Sequence, residues 1–263
     1  EEGKNAFHWA CMGRKFETLK FLLSRDESGI NAKDRTGHTP FYYALDFVQA
    51  EIMALFLARD DTDLNETTKY GSTILSTVCS SKCPEALRLL LAKDSSLINQ
   101  VDKDNQTVFN SACKYGNSEI VELLLGEENL DISVKDKNDA TPLHFACEYS
   151  KVGAVKILIS RDDVDINAKD KKGRSALHMA CLSRSKKKIE VVKLLISRDN
   201  LDVNAQDSEG NSAVHYAFQE CSYTTVSVLL SRDDVDFTLT NNRGESGFYS
   251  IIRGQYVQPL LKL

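Results

Sequence analysis

The chain repeats one short turn signal at a nearly constant spacing. Each time, a residue that tolerates positive φ (Gly, Asn or Asp) is followed two positions later by a small polar residue and then by an apolar run. The turn residues are Gly3, Gly37, Gly71, Asn105, Asp139, Gly173, Gly210 and Gly244. They lie 34 residues apart, except for one step of 37 between Gly173 and Gly210. A chain that writes one supersecondary unit eight times is expected to stack these units side by side.

A short polar side chain stands three residues before most of these turn residues. Such a side chain can bond the backbone of the turn that follows it. The residues at this position are Asp34, Asp102, Asp136, Asp170, Asp207 and Asn241, with Thr68 as the one departure. A braced tight turn is therefore predicted in each unit.

Composition excludes some classes of protein. The chain has 263 residues and a net charge of −5, which argues against a protein built to coat phosphate backbones, so nucleic acid is an unlikely partner. No run of 18 apolar residues occurs, and no membrane insertion is predicted. The first residues already belong to a unit and the last unit stops at Leu263, so we interpret the chain as one repeat domain over 1–263, truncated at both ends.

Seven cysteines are present, and five of them stand eight residues after the turn: Cys11, Cys79, Cys113, Cys147 and Cys181. Apolar residues fill this position in the other units, so the position favours a buried group, and a free cysteine behaves as a small apolar residue. Side chains that recur once per unit are expected to lie beyond the roughly 7 Å between Cα atoms that a disulfide allows. Reduced thiols predict a cytoplasmic or nuclear protein.

The unit from Lys135 to Ala168 is the clearest example of the repeat. Thr141 is a good N-cap, Pro142 suits the first helical position, and His144 can reach back to the cap. A first helix is predicted from Pro142. After a break around 150–153, apolar residues recur at helical spacing and predict a second helix, and an extended tail leads to the next turn.

This pattern resembles the ankyrin repeat across the whole chain. The motif T-P-L-H-x-A-C stands at Thr141–Cys147, and related versions begin at Thr39, Ser175 and Ser212. The resemblance implies an all-α repeat fold, an ankyrin solenoid of helix-turn-helix units with short β-hairpin or turn fingers. The approximate repeats are 1–32, 33–66, 67–100, 101–134, 135–168, 169–205, 206–239 and 240–263.

No catalytic chemistry is predicted for this chain. His8, His144 and His178 each precede a cysteine by three residues, a spacing that fits a Cys/His pair or half a metal site. The pairs recur in phase with the repeat, however, and the histidine already has a capping role. Phosphate loops, nucleophile elbows and H-E-x-x-H motifs are absent. We therefore expect no enzyme, no cofactor and no metal.

The resemblance implies that partner proteins bind at the turn tips, here called fingers, and on a concave groove beside them. The tip residues expected to bind are Arg35, Lys137, Lys171, Lys172 and Arg174. The finger around Gly173 is the most basic, so it suits an acidic or phosphorylated partner. The three-residue insertion lies within Ser183–Lys188 and is interpreted as a tolerated loop, with a localisation signal or a lipid-headgroup contact as the alternatives.

Aromatic residues occur at two positions near the predicted groove. Phe47, Tyr115 and Tyr149 stand ten residues after the turn, where large aromatic side chains are predicted to anchor a partner. The position six residues after the turn is predicted to belong to the core, and it holds Trp9, Tyr43, Phe145, Met179 and Tyr216.

Five asparagines recur just before the turns, where they can bond the neighbouring hairpin: Asn31, Asn65, Asn99, Asn167 and Asn204. In ankyrin proteins that resemble this chain, the corresponding asparagine is a substrate of an asparaginyl hydroxylase, so the resemblance implies that these residues are modification sites.

The sequence predicts a protein–protein interaction scaffold. One alternative is a regulatory or substrate-recruiting segment of a multidomain enzyme or effector. Another is the cytoplasmic ankyrin array of a membrane channel or an anchoring protein. The oligomeric state stays open.

Overall fold

The computed structural model describes residues 2–25, 29–46, 50–68, 71–81, 83–220, 222–247 and 249. Fourteen α-helices lie within these residues. They are α1 Ala6–Met12, α2 Phe16–Arg25, α3 Pro40–Asp46, α4 Ala50–Leu57, α5 Ile74–Ser81, α6 Pro84–Lys93, α7 Val108–Tyr115, α8 Ser118–Leu125, α9 Pro142–Glu148, α10 Val152–Ile159, α11 Ala176–Leu182, α12 Lys188–Ile196, α13 Ala213–Gln219 and α14 Tyr223–Leu229. A 3₁₀-helix, Ser95–Asn99, follows α6.

Each of the first seven predicted repeats contains one pair of these helices, which confirms the helix-turn-helix prediction. The second helix predicted for the eighth repeat lies outside the described residues. Extended structure is nearly absent from the described part of the chain, where three fingers carry one isolated antiparallel bridge each: Thr67 with Thr73, Gln206 with Ser212, and Thr240 with Ser246.

The eight predicted turn residues all have positive φ, between 58° at Asn105 and 82° at Gly71. The polar residue three positions earlier braces the turn as predicted. The Asp170 carboxylate, for example, accepts the backbone N–H groups of Lys172 and Arg174, both at 2.9 Å. At Gly210 a substituent could not fit, because a Cβ there would lie 2.8 Å from the backbone N of Asn242.

The first helices of four repeats begin with the same reciprocal cap. In α9, α11 and α13, a Ser or Thr hydroxyl and backbone N–H bond the Nδ1 atom of the histidine three residues later. Asn5 replaces the hydroxyl residue before α1 and still forms the cap with His8. These caps satisfy N–H groups that a helix start otherwise leaves without a partner.

The chain divides into two compact units. The first is Glu1–Ala112 with Glu119–Val134, and the second is Cys113–Ser118 with Lys135–Leu263. The predicted single array over 1–263 and its count of eight repeats stay predictions.

In the first unit, α1 packs on α2 and α3, and α3 packs on α4 and α5. Its core contains Leu19, Phe41, Met53, Phe56 and Leu87, which are almost fully buried. In the second unit, α9, α11 and α13 pack in sequence, and α12 packs on α10 and α14. Val155, Leu177, Val192 and Leu195 are among its buried residues.

The five cysteines at the repeated position are fully buried, as predicted, and they form no disulfide within the described residues. Burial raises the pKa of the Cys11 and Cys181 thiols to about 12, and it raises that of Cys79 and Cys147 as well. Thiols in this state are poor nucleophiles and poor metal ligands. Their role is packing.

Candidate functional site

The fingers of the second unit are joined edge to edge by backbone hydrogen bonds. The Lys171 N–H donates to the Asn138 carbonyl at 2.8 Å, and the Ser208 N–H donates to the Lys172 carbonyl at 2.8 Å. The Asn242 N–H donates to the Glu209 carbonyl in the same way, at 2.9 Å. Residues at these tips are therefore held at fixed positions relative to each other.

The basic side chains predicted at these fingers differ in their surroundings. Lys137, Lys171 and Lys172 are exposed. The Lys171 ammonium donates to the Lys137 carbonyl of the preceding finger. Within the part of the chain that the structure describes, Lys172 makes no ion pair. These three lysines lie on two adjoining fingers.

Arg174 is held by its own finger. Its guanidinium Nη2 lies 2.6 Å from the Asp170 Oδ2 atom, and its Nε lies 2.8 Å from the same oxygen. Burial of Asp170 opposes ionisation, but the Arg174 guanidinium and the two backbone N–H groups outweigh it and lower the pKa of the carboxyl. Arg174 therefore stabilises the turn, in addition to the partner contact predicted for it.

Arg35 lies in the first unit and is exposed at its finger tip. Its backbone N–H donates to the Glu2 carbonyl at 3.0 Å. The structure thus places Arg35 in the first unit and the three lysines in the second.

Tyr115 and Tyr149 form an aromatic cluster around Lys114 in the second unit. The Lys114 ammonium lies 5.9 Å from the Tyr115 ring centroid and 5.5 Å from the Tyr149 centroid. Tyr149 is 41% exposed and Tyr115 is half-buried. Cation–π contacts of this length hold the two rings near one charge. Phe47, the third predicted anchor, lies outside the described residues.

The neighbouring aromatic position is only partly in the core. Phe145 and Met179 are buried and Tyr43 and Tyr216 are half-buried, but Trp9 is 56% exposed, so the core prediction is wrong for Trp9. The main packing partners of α1 among the described helices are α2 and α3, and the Trp9 ring faces the Lys4 ammonium, which lies 5.8 Å from the ring centroid.

The inserted loop of the second unit carries positive charge. The Arg184 side chain is 90% exposed and lies 4.0 Å from the Glu220 carboxylate. Lys186 and Lys187 are also exposed. A buried hydrogen bond of 2.9 Å from the Ser150 hydroxyl to the Ser183 hydroxyl fixes the start of this loop.

Four of the five asparagines bond the loop of the next repeat, as predicted. The Asn167 amide donates to the Asn200 carbonyl at 2.7 Å and accepts the Asp202 N–H at 2.8 Å. Asn31, Asn99 and Asn204 make the same pair of bonds.

Asn65 differs from the other four asparagines, because its side-chain oxygen accepts a hydrogen bond from the Gln100 side-chain amide at 2.5 Å. In the repeat that follows Asn65, the corresponding loop is the 3₁₀-helix Ser95–Asn99, in which the Leu97 N–H donates to the Asp94 carbonyl.

This difference predicts unequal costs for the substitution of Asn by Asp. Asn167→Asp removes the donor to the Asn200 carbonyl and sets two acceptors against each other, so a loss of about 1–3 kcal/mol of unfolding free energy is expected. Asn65→Asp keeps the acceptor that Gln100 uses, so its loss should stay within about 0.5 kcal/mol. Urea denaturation of both variants measures the difference. Equal losses would contradict the assigned bonds.

The histidine caps also link successive repeats, which sequence reasoning missed. The Nε2 atom of His144 lies 2.9 Å from the Arg174 carbonyl, and that of His178 lies 3.1 Å from the Asn211 carbonyl. His8 and His215 reach the carbonyls of His38 and Glu245. In these caps Nδ1 accepts a backbone N–H, and Nε2 faces a backbone carbonyl and must donate to it. The imidazole is therefore neutral, with its proton on Nε2. Burial lowers the pKa of His144 and His178 accordingly.

Glu66 in the first unit is a further site that the sequence did not reveal. Three other repeats carry alanine at this position, as Ala32, Ala168 and Ala205. The Glu66 side chain is only 7% exposed, and its Oε1 atom accepts a 2.7 Å hydrogen bond from the Thr39 hydroxyl. Its Oε2 atom is buried and has no hydrogen-bond partner among the described residues. Burial raises the pKa of this carboxyl to about 7.

Glu66 bonds Thr39 because another residue replaces the capping histidine in this repeat. Tyr42 stands at the cap position, and its ring stacks on the His38 ring with centroids 3.8 Å apart. No imidazole is therefore available to bond Thr39, and Glu66 from the following finger takes that place. The combination of Tyr42 with Glu66 was the available signal in the sequence.

Groups of three or more His, Cys, Asp or Glu residues able to hold a metal ion do not occur in the described ranges. None of the helices that the structure describes is long and apolar enough to cross a bilayer.

Paired helices, braced fingers and repeated caps define an all-α repeat protein of the solenoid class. The family model "Ankyrin repeats (3 copies)" matches residues 1–68, 49–136, 128–207 and 163–241, and the chain belongs to the ankyrin repeat family. The crystal structure of the human ASB11 ankyrin repeat domain is similar, with a TM-score of 0.73 and 22% sequence identity over 89% of this chain and 100% of that chain. At this identity the likeness shows the fold. None of the curated proteins compared matches the chain.

Proposed function

We propose that this chain is a protein–protein interaction scaffold whose second unit binds an acidic or phosphorylated segment of a partner protein. Ankyrin repeats are in general protein-interaction modules. The observation that carries the proposal is the pair of adjoining fingers that present Lys137, Lys171 and Lys172. Their backbones are hydrogen-bonded together, so the fingers that carry these lysines need little backbone ordering when a ligand arrives.

The tyrosine cluster supplies a second contact area. The helix α9 joins a finger to Tyr149, and its seven residues span about 10 Å at 1.5 Å per residue. A partner segment in extended conformation covers this distance with three to four residues, at about 3.3 Å each. One short acidic segment can therefore contact the fingers with its charges and the tyrosine rings with an apolar or aromatic side chain.

A charge-reversal pair tests the proposal. The variant Lys171→Glu with Lys172→Glu is expected to bind acidic and phosphorylated peptides about 10–100-fold more weakly than the parent chain, because each lost charge-assisted hydrogen bond is worth about 1.5–3 kcal/mol before solvent screening. Binding to a synthetic array of acidic, phosphorylated and neutral peptides measures how strongly each protein prefers the acidic and phosphorylated peptides. Arg174 is left unchanged, since its removal would also damage the finger.

The matched control is Lys15→Glu with Lys20→Glu, which changes the net charge equally at exposed positions of the first unit. The proposal is contradicted if this control loses binding to the same extent as the Lys171→Glu, Lys172→Glu variant. It is also contradicted if that variant keeps the parent chain's preference for acidic and phosphorylated peptides. Tyr115→Ala with Tyr149→Ala tests the aromatic contact separately. Its expected result is weaker binding with an unchanged preference for acidic peptides.

The five asparagines stay proposed hydroxylation sites. Asn65 makes fewer side-chain bonds to its neighbours than the other four, which favours its release to a modifying enzyme. The buried thiols, which form no disulfide within the described residues, support a cytoplasmic or nuclear location, because a reducing compartment prevents disulfide formation.

A further inference from the structure

The inserted loop of the second unit is a positively charged surface that the fingers do not account for. Five residues, Ser183–Lys187, separate α11 from α12, whereas three residues separate α9 from α10. The Arg184 side chain is 90% exposed, and Lys186 and Lys187 are exposed as well. Within the described residues, these two lysines make no side-chain hydrogen bond or ion pair. Three positively charged side chains therefore project from one short loop.

The backbone of this loop is fixed by its own serines. The Ser183 hydroxyl, which is bonded to Ser150, also accepts the Ser185 N–H at 3.4 Å. The Ser185 hydroxyl accepts the Lys187 N–H at 3.2 Å, and the Ser185 carbonyl accepts the Lys188 N–H at 3.1 Å. A loop that is held in this way loses little backbone freedom when it meets a ligand.

Two carboxylates beside the loop each face a basic side chain. Glu190, in the first turn of α12, lies 3.5 Å from the Lys156 ammonium. Glu220 lies 4.0 Å from the Arg184 guanidinium. The three lysines Lys186–Lys188 are added to these balanced pairs, so the loop keeps an excess of positive charge.

Negative charge in the second unit gathers at the opposite end of the second helices. The helix α12 leads from the loop towards Asp199, and its nine residues span about 13 Å. The screening length at physiological ionic strength is about 8 Å, so the acidic end has little influence on the loop. Exposed acidic residues at that end are Asp162, Asp163, Asp199, Asp202, Asp233 and Asp234. The net charge of −5 is therefore compatible with an anionic ligand at the loop.

We propose that the inserted loop attaches the chain to a membrane surface that contains anionic lipids. Clusters of about four or more basic residues are typical of such attachment, and Arg184 with Lys186–Lys188 supplies four. The segment Ser183–Lys188 has no apolar or aromatic residue, which the centre of a protein–protein interface and the binding of single-stranded nucleic acid both favour. An array of outward-pointing charges instead matches a flat surface that presents many phosphate groups.

The fingers are less suited to the same surface. Lys171 and Lys172 follow the loop that ends α10, so they share one end of the unit with exposed Asp162 and Asp165. A broad anionic surface is repelled by these carboxylates, whereas a short acidic peptide can contact the lysines alone. The membrane attachment therefore goes beyond the proposed peptide binding and uses different residues.

Vesicle binding of the whole chain tests the proposal. Each basic residue near an anionic leaflet strengthens binding about fivefold, so three exposed side chains predict a preference of about 100-fold for vesicles with about 30% phosphatidylserine over pure phosphatidylcholine. Sedimentation measures the bound fraction. Raising the salt from about 0.1 M to about 1 M shortens the screening length from about 10 Å to about 3 Å and should abolish the preference. Equal binding to both vesicles, or a preference that survives the higher salt, overturns the proposal.

Charge variants assign the binding to the loop. Lys186→Glu with Lys187→Glu should lower the affinity for the anionic vesicles about 25-fold or more, because two contributions of about fivefold are removed. Lys186→Arg with Lys187→Arg keeps the charge and should bind as the parent chain does. Lys171→Glu with Lys172→Glu changes the net charge equally at the fingers and should keep the preference for anionic vesicles. The site is wrong if the two Glu variants lose vesicle binding equally, or if the loop variant loses none.

Two further measurements separate the membrane from other ligands. The Lys186→Glu, Lys187→Glu variant should keep the parent chain's preference for acidic peptides. If it loses that preference and still binds the vesicles, the loop belongs to a protein partner and the membrane proposal fails. Glycerophosphoserine, the soluble head group, should not compete at millimolar concentration, because one head group meets only one of several charges. Competition would indicate a site for a single phosphate and overturn attachment to a surface. A failure of vesicle binding leaves the peptide site at the fingers untouched.

Discussion

Glu66→Gln is expected to stabilise the protein by about 3 kcal/mol at pH 8 and to have little effect at pH 4. Burial raises the folded-state pKa of Glu66 from 4.5 to about 7. Each pKa unit corresponds to about 1.4 kcal/mol, so this difference is worth about 3 kcal/mol. The neutral amide keeps an oxygen for the Thr39 hydroxyl and never ionises.

The sign of the pH dependence follows from the raised pKa. Between pH 4.5 and 7 the folded protein holds a proton that the unfolded chain has already released, so the folded state is favoured at the lower pH. This stabilisation is fully present below pH 4.5 and is lost as pH rises through 7. Other titrating groups contribute equally to parent and variant, so the difference between their unfolding free energies isolates Glu66.

Urea denaturation of both proteins at several pH values measures this difference. Glu122→Gln serves as the control, because it removes an exposed carboxylate from the middle of α8. The control should show no comparable rise in stability at pH 8. A constant difference between Glu66→Gln and the parent from pH 4 to pH 8 would show that Glu66 titrates as an ordinary carboxyl.

The repeat pattern was sufficient to predict the secondary structure because each signal acts locally. A turn at Gly173 depends on a residue that tolerates positive φ and on Asp170 three positions earlier, and both are visible in the sequence. The same holds for the cap formed by Ser175 and His178. Repetition in phase made each local signal more certain than one copy would.

The features that escaped prediction depend on contacts between repeats. The sequence places Glu66 and Thr39 27 residues apart, and nothing local shows that the carboxyl enters the space that histidine leaves. The exposure of Trp9 likewise depends on which helices pack beside α1. The pairing of Arg174 with Asp170 was within reach of sequence reasoning, because residues four apart across a tight turn are close.

The pH dependences of Glu66 and of the capping histidines oppose each other. Glu66 makes the folded state progressively less stable as pH rises from 4.5 to about 7, whereas His144 and His178 make it less stable as pH falls below the ordinary histidine pKa of 6.5. For a base with a lowered pKa, the unfolded chain takes up the proton first as pH falls. The stabilisation that these histidines give is therefore present above pH 6.5 and is lost as pH falls through their folded-state pKa.

His178→Ala is expected to destabilise the protein by about 3 kcal/mol at pH 7.5. The ring bonds the Ser175 N–H at 3.0 Å and the Asn211 carbonyl at 3.1 Å, and it is almost fully buried. Its removal leaves these groups without partners, at about 1–3 kcal/mol for each buried group, and opens a cavity beside Tyr216. The loss should be smaller at pH 5, because the parent itself is weakened there.

His178→Asn separates the two bonds of the ring. Asparagine occupies this position in another repeat as Asn110, where its side-chain oxygen accepts the Thr107 N–H at 3.1 Å and the Thr107 hydroxyl at 2.6 Å. The amide of Asn110 is buried without a hydrogen-bond partner among the described residues, since the shorter side chain can serve the cap alone. His178→Asn should therefore keep the cap and lose the bond to Asn211, at about half the cost of His178→Ala.

Urea denaturation and hydrogen exchange at the Ser175 amide distinguish the two variants. Exchange of this amide should accelerate more in His178→Ala than in His178→Asn. Equal destabilisation by both variants would mean that the cap contributes nothing and that the inter-repeat bond and the buried ring account for the whole effect.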